Sequence, residues 1–167
     1  MTFFRRLSAA LVLIAAVSLA CTLEDRTDRA VAGGEPEASA ATSDFIRPWG
    51  EAEPPRAVRS GNLIWIWGMS GTVPNVAEPR IVAGGAGAEA RQALANIEAV
   101  LAAAGAELRD VAQCSVFVAD VADLPAVLDA YGETFPSSPV RTAIVPGGLA
   151  MDARVELECT AVVSSGA

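Results

Sequence analysis

The chain has 167 residues, with 12 basic and 20 acidic side chains, no histidine and a formal net charge of −8. Every basic residue is an arginine, which excludes a Schiff-base lysine, a phosphate-loop lysine and an imidazole base. The three cysteines form no Cys-x-x-Cys pair and have no histidine partner, so the sequence predicts neither a metal site nor a cofactor. Arginine, carboxylates, hydroxyls, backbone groups and water remain available for chemistry.

Residues 1–20 have the pattern of a secretory signal peptide. Two arginines precede an apolar stretch at 7–17, which is short for a membrane-spanning helix, and Ser-Leu-Ala at 18–20 matches a small-residue cleavage site. Cys21 comes next, so the segment is similar to a bacterial lipobox with serine in place of the usual leucine. Either ordinary cleavage leaves Cys21 as a free thiol or Cys21 is lipidated. Its position favours a lipoprotein that is anchored to a membrane face by lipid alone.

Residues 21–43 predict a flexible tether, because they are rich in small and acidic residues and show no apolar periodicity. Once 1–20 are removed, ten arginines and twenty acids remain, a net charge of −10. Such a surface disfavours binding to nucleic acid or anionic lipid. We therefore expect an exported protein, periplasmic or on the cell surface, with one compact domain at 44–167.

The first half of the domain predicts a hairpin and a helix. Strands at 57–59 and 63–67 flank a Ser-Gly-Asn turn, and the second strand is apolar on both faces, as a central strand would be. Apolar residues then recur at helical spacing over 88–104. The other faces of this helix are predicted to carry mostly polar residues, namely Glu89, Arg91, Gln92, Asn96 and Glu98.

The second half predicts a strand at 111–119, a helix at 123–135, a strand at 141–145 and a last strand at 154–163. The order β-β-α-β-α-β-β is typical of an α+β fold with both helices on one face of the sheet.

The last strand has two different faces. One face carries Val155, Leu157, Cys159 and Ala161, and the other carries Arg154, Glu156, Glu158 and Thr160. Helices can cover only the apolar set, so the second face must meet water or another subunit. Because Trp65 or Trp67 would also be exposed there, we expect an oligomer.

Cys114 and Cys159 both lie on apolar strand faces. They are buried thiols, or they form a disulfide if the compartment is oxidising and their Cβ atoms approach within about 4.5 Å. The sequence leaves these two alternatives open.

Residues 56–163 resemble the Rid proteins, the reactive-intermediate deaminases also called YjgF-like. The resemblance rests on AVRSGNLI at 57–64, RQALANI at 91–97, VFVAD at 116–120, PVRT at 139–142 and VELE at 155–158. Their joint order and spacing identify the chain as a divergent exported member. The resemblance implies a chorismate-mutase-like fold with a mixed sheet, assembled as a homotrimer with ligand clefts between subunits.

The resemblance also implies a site. Arg141 would hold a substrate carboxylate, since a planar guanidinium offers two parallel charge-assisted hydrogen bonds. Glu156 would position the attacking water, and main-chain groups near Gly68 and Ala143 would contact the ligand. Without the resemblance, a lone arginine beside a proline on a strand predicts a surface or interface salt bridge.

The chain departs from the family pattern at one wall of this cleft. Pro54 stands where deaminating members usually carry a tyrosine, and Trp67 and Met69 flank Gly68 where serine and glutamine are common. We therefore expect a cleft that is present but bulkier and more apolar.

Two functions follow from these observations. The first is hydrolysis of 2-imino or enamine derivatives of small amino acids to a 2-keto acid and ammonia. The second is noncatalytic binding of a small carboxylate by a lipoprotein with the same fold. The family favours the first, whereas export favours the second, because imino acids arise mostly inside the cell and decay quickly in water.

Overall fold

The computed structural model describes residues 42–135 and 137–164. The predicted signal peptide at 1–20, the candidate lipidation site at Cys21 and all but the end of the predicted tether lie outside the described residues. Within those residues, neither helix combines the length and the apolar composition needed to cross a membrane.

The described chain forms one six-stranded mixed sheet and two α-helices. In chain order these are β1 Ser43–Ile46, β2 Ala57–Ser60, β3 Leu63–Ser70, α1 Ala86–Ala103, β4 Val111–Val118, α2 Leu124–Thr134, β5 Val140–Ile144 and β6 Val155–Val162. The strands lie in the order β1-β2-β3-β6-β4-β5, and only β4 and β5 are paired in parallel. The predicted α+β class with a mixed sheet is confirmed.

Strand β1 is an element that the sequence analysis did not predict. It pairs antiparallel with β2, with Phe45 opposite Val58, so the sheet begins at Ser43. Four residues are too few to display a convincing alternation of apolar and polar positions, which is why the pattern missed this edge strand.

The core lies between the helices and one face of the sheet. The predicted alternation on β6 is confirmed, since Val155, Leu157, Cys159 and Ala161 are all buried. Helix α1 packs on β3 and β6 and against α2. It contributes its predicted apolar stripe, and burying each large aliphatic side chain of this kind stabilises the fold by about 1.5–3 kcal/mol.

Helix α1 lies between two glycines with positive φ, Gly85 at 79° and Gly105 at 71°. The prediction that Glu89 and Asn96 face away from the core is wrong, because their exposed fractions are 4% and 2%. The Glu89 carboxylate accepts a hydrogen bond from the backbone N–H of Arg154 at 2.7 Å. Glu89 and Asn96 therefore both have backbone hydrogen-bond partners, as the burial of a polar side chain requires.

Cys114 and Cys159 form a disulfide that joins β4 to β6. The two residues are direct partners across the antiparallel pair, with Cα atoms 4.2 Å apart, and both face the core. The sequence left open whether Cys114 and Cys159 are free thiols or form a disulfide, and the structure contains the disulfide.

The sheet face opposite the helices carries exposed apolar side chains. Trp65 and Trp67 are 44% and 50% exposed, and Phe45, Val140 and Ile144 are exposed as well. Isolated apolar residues are normal on a protein surface, but several on adjacent strands mark a candidate contact surface. We call this set the open face.

Candidate functional site

A cavity of about 350 Å³ opens where β3 and β6 lose their regular pairing. The register shifts between Ile66 and Met69, so Gly68 lies at the irregularity. The walls come from the loop before β2, the end of β3 with the loop after it, and the turn and strand of β6: Trp49, Glu53, Arg56, Gly68, Met69, Ser70, Thr72, Val73, Pro74, Asn75, Val76, Pro79, Met151 and Glu156. A cavity of this size suits a small ligand.

Glu156 supplies the carboxyl group of this cavity. It lies on β6 opposite Ser70 of β3 and Phe117 of β4, and its side chain is half-buried. Burial raises the pKa of the Glu156 carboxyl, and the neighbouring charge of Glu158 raises it further. A carboxyl group with a raised pKa can hold and release a proton nearer to neutral pH, as general acid–base catalysis requires.

The position of the Glu156 side chain requires a glycine at residue 68. A Cβ atom built on Gly68 would lie 2.6 Å from Cδ of Glu156, well inside van der Waals contact. Glycine therefore lets the carboxyl group lie directly against the β3 backbone. Of the predicted site residues, the structure brings these two together.

Arg141 and Ala143 lie elsewhere, on β5 at the far edge of the sheet. The Arg141 guanidinium lies over the ring of Tyr131, with its Cζ 5.3 Å from the ring centroid, and it forms no ion pair among the described residues. Burial raises the pKa of the Tyr131 hydroxyl, and the positive charge of Arg141 opposes that shift. Neither Arg141 nor Ala143 lines the cavity in a single chain.

Asn96 is a residue of the site that the sequence analysis missed. Its side-chain amide donates to the carbonyl oxygens of Ser70 at 3.3 Å and Thr72 at 2.9 Å, and both of these residues line the cavity. Its own amide oxygen accepts a hydrogen bond from Gln92 at 3.0 Å. Asn96 thus fixes the cavity wall to helix α1.

Two residues of the cavity wall have unusual backbone conformations. Four non-glycine residues of the described chain have positive φ: Asn75, Ser138, Met151 and Asp152. Asn75 and Met151 line the cavity, whereas Ser138 and Asp152 do not. Such conformations persist only where the surrounding structure imposes them, and they are concentrated at functional sites.

Comparison with known proteins shows the family of this chain. The profile of the family described as Endoribonuclease L-PSP matches residues 51–163. The chain belongs to the Endoribonuclease L-PSP family. This confirms the resemblance to the Rid, or YjgF-like, proteins.

Several proteins similar to this chain are named 2-iminobutanoate/2-iminopropanoate deaminase, and two of them illustrate the similarity. The one from Capra hircus is 41% identical over 108 residues, covering 64% of this chain and 77% of the relative. The one from Dermatophagoides farinae is 36% identical over 109 residues, covering 65% and 84%. The crystal structure of E. coli TdcF with bound serine superimposes with a TM-score of 0.65 at 26% identity, covering 72% of this chain and 99% of that one.

The departures from the Rid pattern take a different form from the one expected. Pro54 is absent from the cavity wall, which Trp49 and Arg56 form instead. Met69 lines the cavity as expected and is only 2% exposed. Trp67 does not line the cavity and belongs to the open face. The expected bulky wall therefore keeps Met69 and is completed by Trp49 and Arg56.

Proposed function

We propose that the protein is a deaminase that hydrolyses 2-imino or enamine derivatives of small amino acids to 2-keto acids and ammonia. The observation that carries this proposal is the half-buried Glu156 carboxyl, whose pKa is raised, held against Gly68 in a cavity of suitable size. The names of the Capra hircus and Dermatophagoides farinae relatives support the reaction class.

The reaction requires two proton transfers. An enamine first tautomerises to the imine. Water then adds across the C=N bond to give a carbinolamine, and the carbinolamine collapses to the C=O group while its nitrogen leaves as ammonia. In the proposed mechanism, Glu156 accepts a proton from the attacking water and returns it to the nitrogen, and it then moves the hydroxyl proton to nitrogen in the second step. A carboxyl group with a pKa closer to neutral serves both directions.

The substrate carboxylate needs a positive partner, and we assign this role to Arg141. Because Arg141 and Ala143 are remote from the cavity within one chain, the proposal includes a homotrimer in which β5 of one copy meets the cavity of the next. Two observations support it: the open face exposes Trp65 and Trp67, and Arg141 has no ion pair among the described residues.

Arg141→Ala should lower affinity for 2-oxobutanoate, the product of 2-iminobutanoate hydrolysis, by about one to two decades, since a hydrogen-bonded charge pair is worth roughly 1.5–3 kcal/mol. Arg141→Lys should restore little, because an ammonium lacks the planar fork. Calorimetry measures the affinity, ammonia release from imino acids generated in situ measures the activity, and light scattering measures the assembly.

Arg109→Ala is the matched control, because Arg109 is an exposed arginine paired with Glu107 outside the cavity. A folded trimeric Arg141→Ala protein with unchanged affinity would contradict the assignment, as would a rescue by lysine that matches the wild type. A wild-type protein that binds 2-oxobutanoate without accelerating imine hydrolysis would favour the noncatalytic alternative.

We also propose that the protein is exported and anchored through lipidated Cys21. The Cys114–Cys159 disulfide supports this proposal, because such bonds persist in oxidising compartments outside the cytoplasm. Mass spectrometry of the mature N-terminus should find a diacylated cysteine in the membrane fraction. An unmodified Cys21 on a soluble mature protein would contradict the anchor but not the export.

A further inference from the structure

Arg56 is a charged residue of the cavity that the proposed mechanism does not use. It immediately precedes β2 and is held in the sheet by its backbone, since its N–H donates to the carbonyl oxygen of Ile46 at 2.8 Å and its carbonyl oxygen accepts from the Trp67 N–H at 3.0 Å. Its side chain lines the same cavity as Gly68 and Glu156. The sheet therefore fixes where this guanidinium enters the site.

The donors of the Arg56 guanidinium have no hydrogen-bond acceptor among the described residues. Its Nε is buried without a hydrogen-bond partner. By contrast, Arg59 donates to two backbone carbonyl oxygens and Arg154 forms a two-point pair with Asp123 at 2.8 and 2.7 Å. A buried donor without an acceptor is unfavourable, and an incoming acceptor would remove that cost.

Only weak contacts hold the Arg56 side chain in place. Its Cζ lies 5.6 Å from the ring centroid of Trp49, a cation–π contact that provides no hydrogen-bond acceptor for the N–H groups of the guanidinium. The ion pair with Glu53 spans 3.7 Å and involves a carboxylate that is 51% exposed, so it contributes little. The guanidinium can therefore exchange Glu53 for a better anion.

Within one chain, the charged groups that line the cavity are Arg56, Glu53 and Glu156. The proposed Arg141 of a neighbouring copy would add a second cation, so the assembled site suits a ligand with two acidic ends. Glu156 is the group proposed to face the imine carbon, and Arg141 of a neighbouring copy is proposed to hold the carboxylate next to that carbon. Arg56 lines the same cavity as Glu156 and is the cation left for the remainder of the substrate, its side chain.

We propose that Arg56 determines specificity by binding a carboxylate at the end of the substrate side chain, so that the preferred substrates are 2-imino derivatives of acidic amino acids. This inference rests on the proposed function for the orientation of the substrate. One edge of the planar Arg56 guanidinium can form two parallel hydrogen bonds with a carboxylate. The guanidinium also makes the cation–π contact with the ring of Trp49.

The test uses the full chain and two 2-keto acids that differ only in a terminal carboxylate, 2-oxopentanedioate and 2-oxopentanoate. Wild-type protein should bind the diacid about 10 to 100 times more tightly, which corresponds to one charge-assisted pair. Arg56→Gln should remove that preference, so that the two acids bind with similar affinity. Arg47→Gln is the matched control, because Arg47 lies nearby but does not line the cavity, and it should keep the preference.

The outcomes separate this inference from the proposed function. Equal affinities for the two acids in wild-type protein, or an unchanged preference in Arg56→Gln, would overturn the role of Arg56 even if 2-oxopentanoate binds through Arg141. Diacid binding that depends on Arg56, without any binding of 2-oxopentanoate, would uphold the anion site and contradict the proposed function. Binding of neither acid would overturn both.

Discussion

Glu156→Gln is expected to lower the rate of imine hydrolysis by about 10²–10⁴-fold, the usual contribution of a positioned general acid–base group. Glutamine preserves the shape of the side chain but cannot exchange a proton. Substrate and product affinity should change much less than the rate, since Arg141 is proposed to hold the carboxylate. Ammonia release and calorimetry on the same preparations measure the two effects separately.

Glu156→Gln should also raise the stability of the folded protein at pH values above the raised pKa of Glu156. Because the folded-state pKa lies above the unfolded value, the folded protein binds more protons between the two values, and the contribution of this group to stability falls as pH rises through that interval. A glutamine side chain makes no such contribution, so the unfolding temperature of Glu156→Gln should exceed that of wild type at neutral pH and approach it in acid.

Glu158→Gln is the matched control for both effects, because Glu158 is an exposed carboxylate on the same strand, outside the cavity. It should remove the repulsion that helps to raise the pKa of Glu156 while leaving a working carboxyl group in place. A Glu156→Gln protein with wild-type activity would remove Glu156 from the mechanism. A fall in its stability at neutral pH would contradict the burial argument.

Gly68→Ala and Gly71→Ala should produce opposite patterns of loss. At Gly68 the added methyl group would collide with the end of the flexible Glu156 side chain, which can move aside. The fold should keep nearly its full stability, and activity should fall by about 10²-fold, because a displacement of about 1 Å in a catalytic group has that effect.

At Gly71 the added Cβ would instead lie 2.7 Å from Cα and 2.8 Å from the carbonyl oxygen of Glu89, which are backbone atoms of helix α1. The helix would have to move away from the end of β3, a form of overpacking that costs about 1–3 kcal/mol. Denaturant unfolding and imine hydrolysis, measured on both variants, distinguish the two patterns. If Gly68→Ala proves the less stable variant, Glu156 is held more rigidly than its contacts indicate.

The parts of this fold that the sequence predicted are those with a strong local period. The alternation in β6 and the apolar stripe of α1 correctly placed the core, and the positions taken from the Rid resemblance placed Gly68 and Glu156 at one cavity. Arg141, taken from the same resemblance, lies on β5 outside that cavity, because a single chain does not bring β5 and the bulge of β3 together.

The residues that were missed depend on partners distant in sequence. Asn96 was assigned to a solvent-facing position because its polar side chain suited one, yet its acceptors are carbonyl oxygens 24 and 26 residues earlier. Trp49 and Arg56 lie in a segment around two consecutive prolines that has neither helical nor strand periodicity. No local sequence pattern predicts that such a segment will form the wall of a cavity.

The central position of β6 also determines when the protein can fold. This strand is the last in the described chain, yet it lies between β3 and β4 and pairs with both. Until residue 162 has been synthesised, β3 and β4 have no partner between them, and their ladder edges remain open to other chains. Folding is therefore an event of the finished domain, and a ribosome-bound chain that stops short of β6 should remain protease-sensitive between β1 and β5.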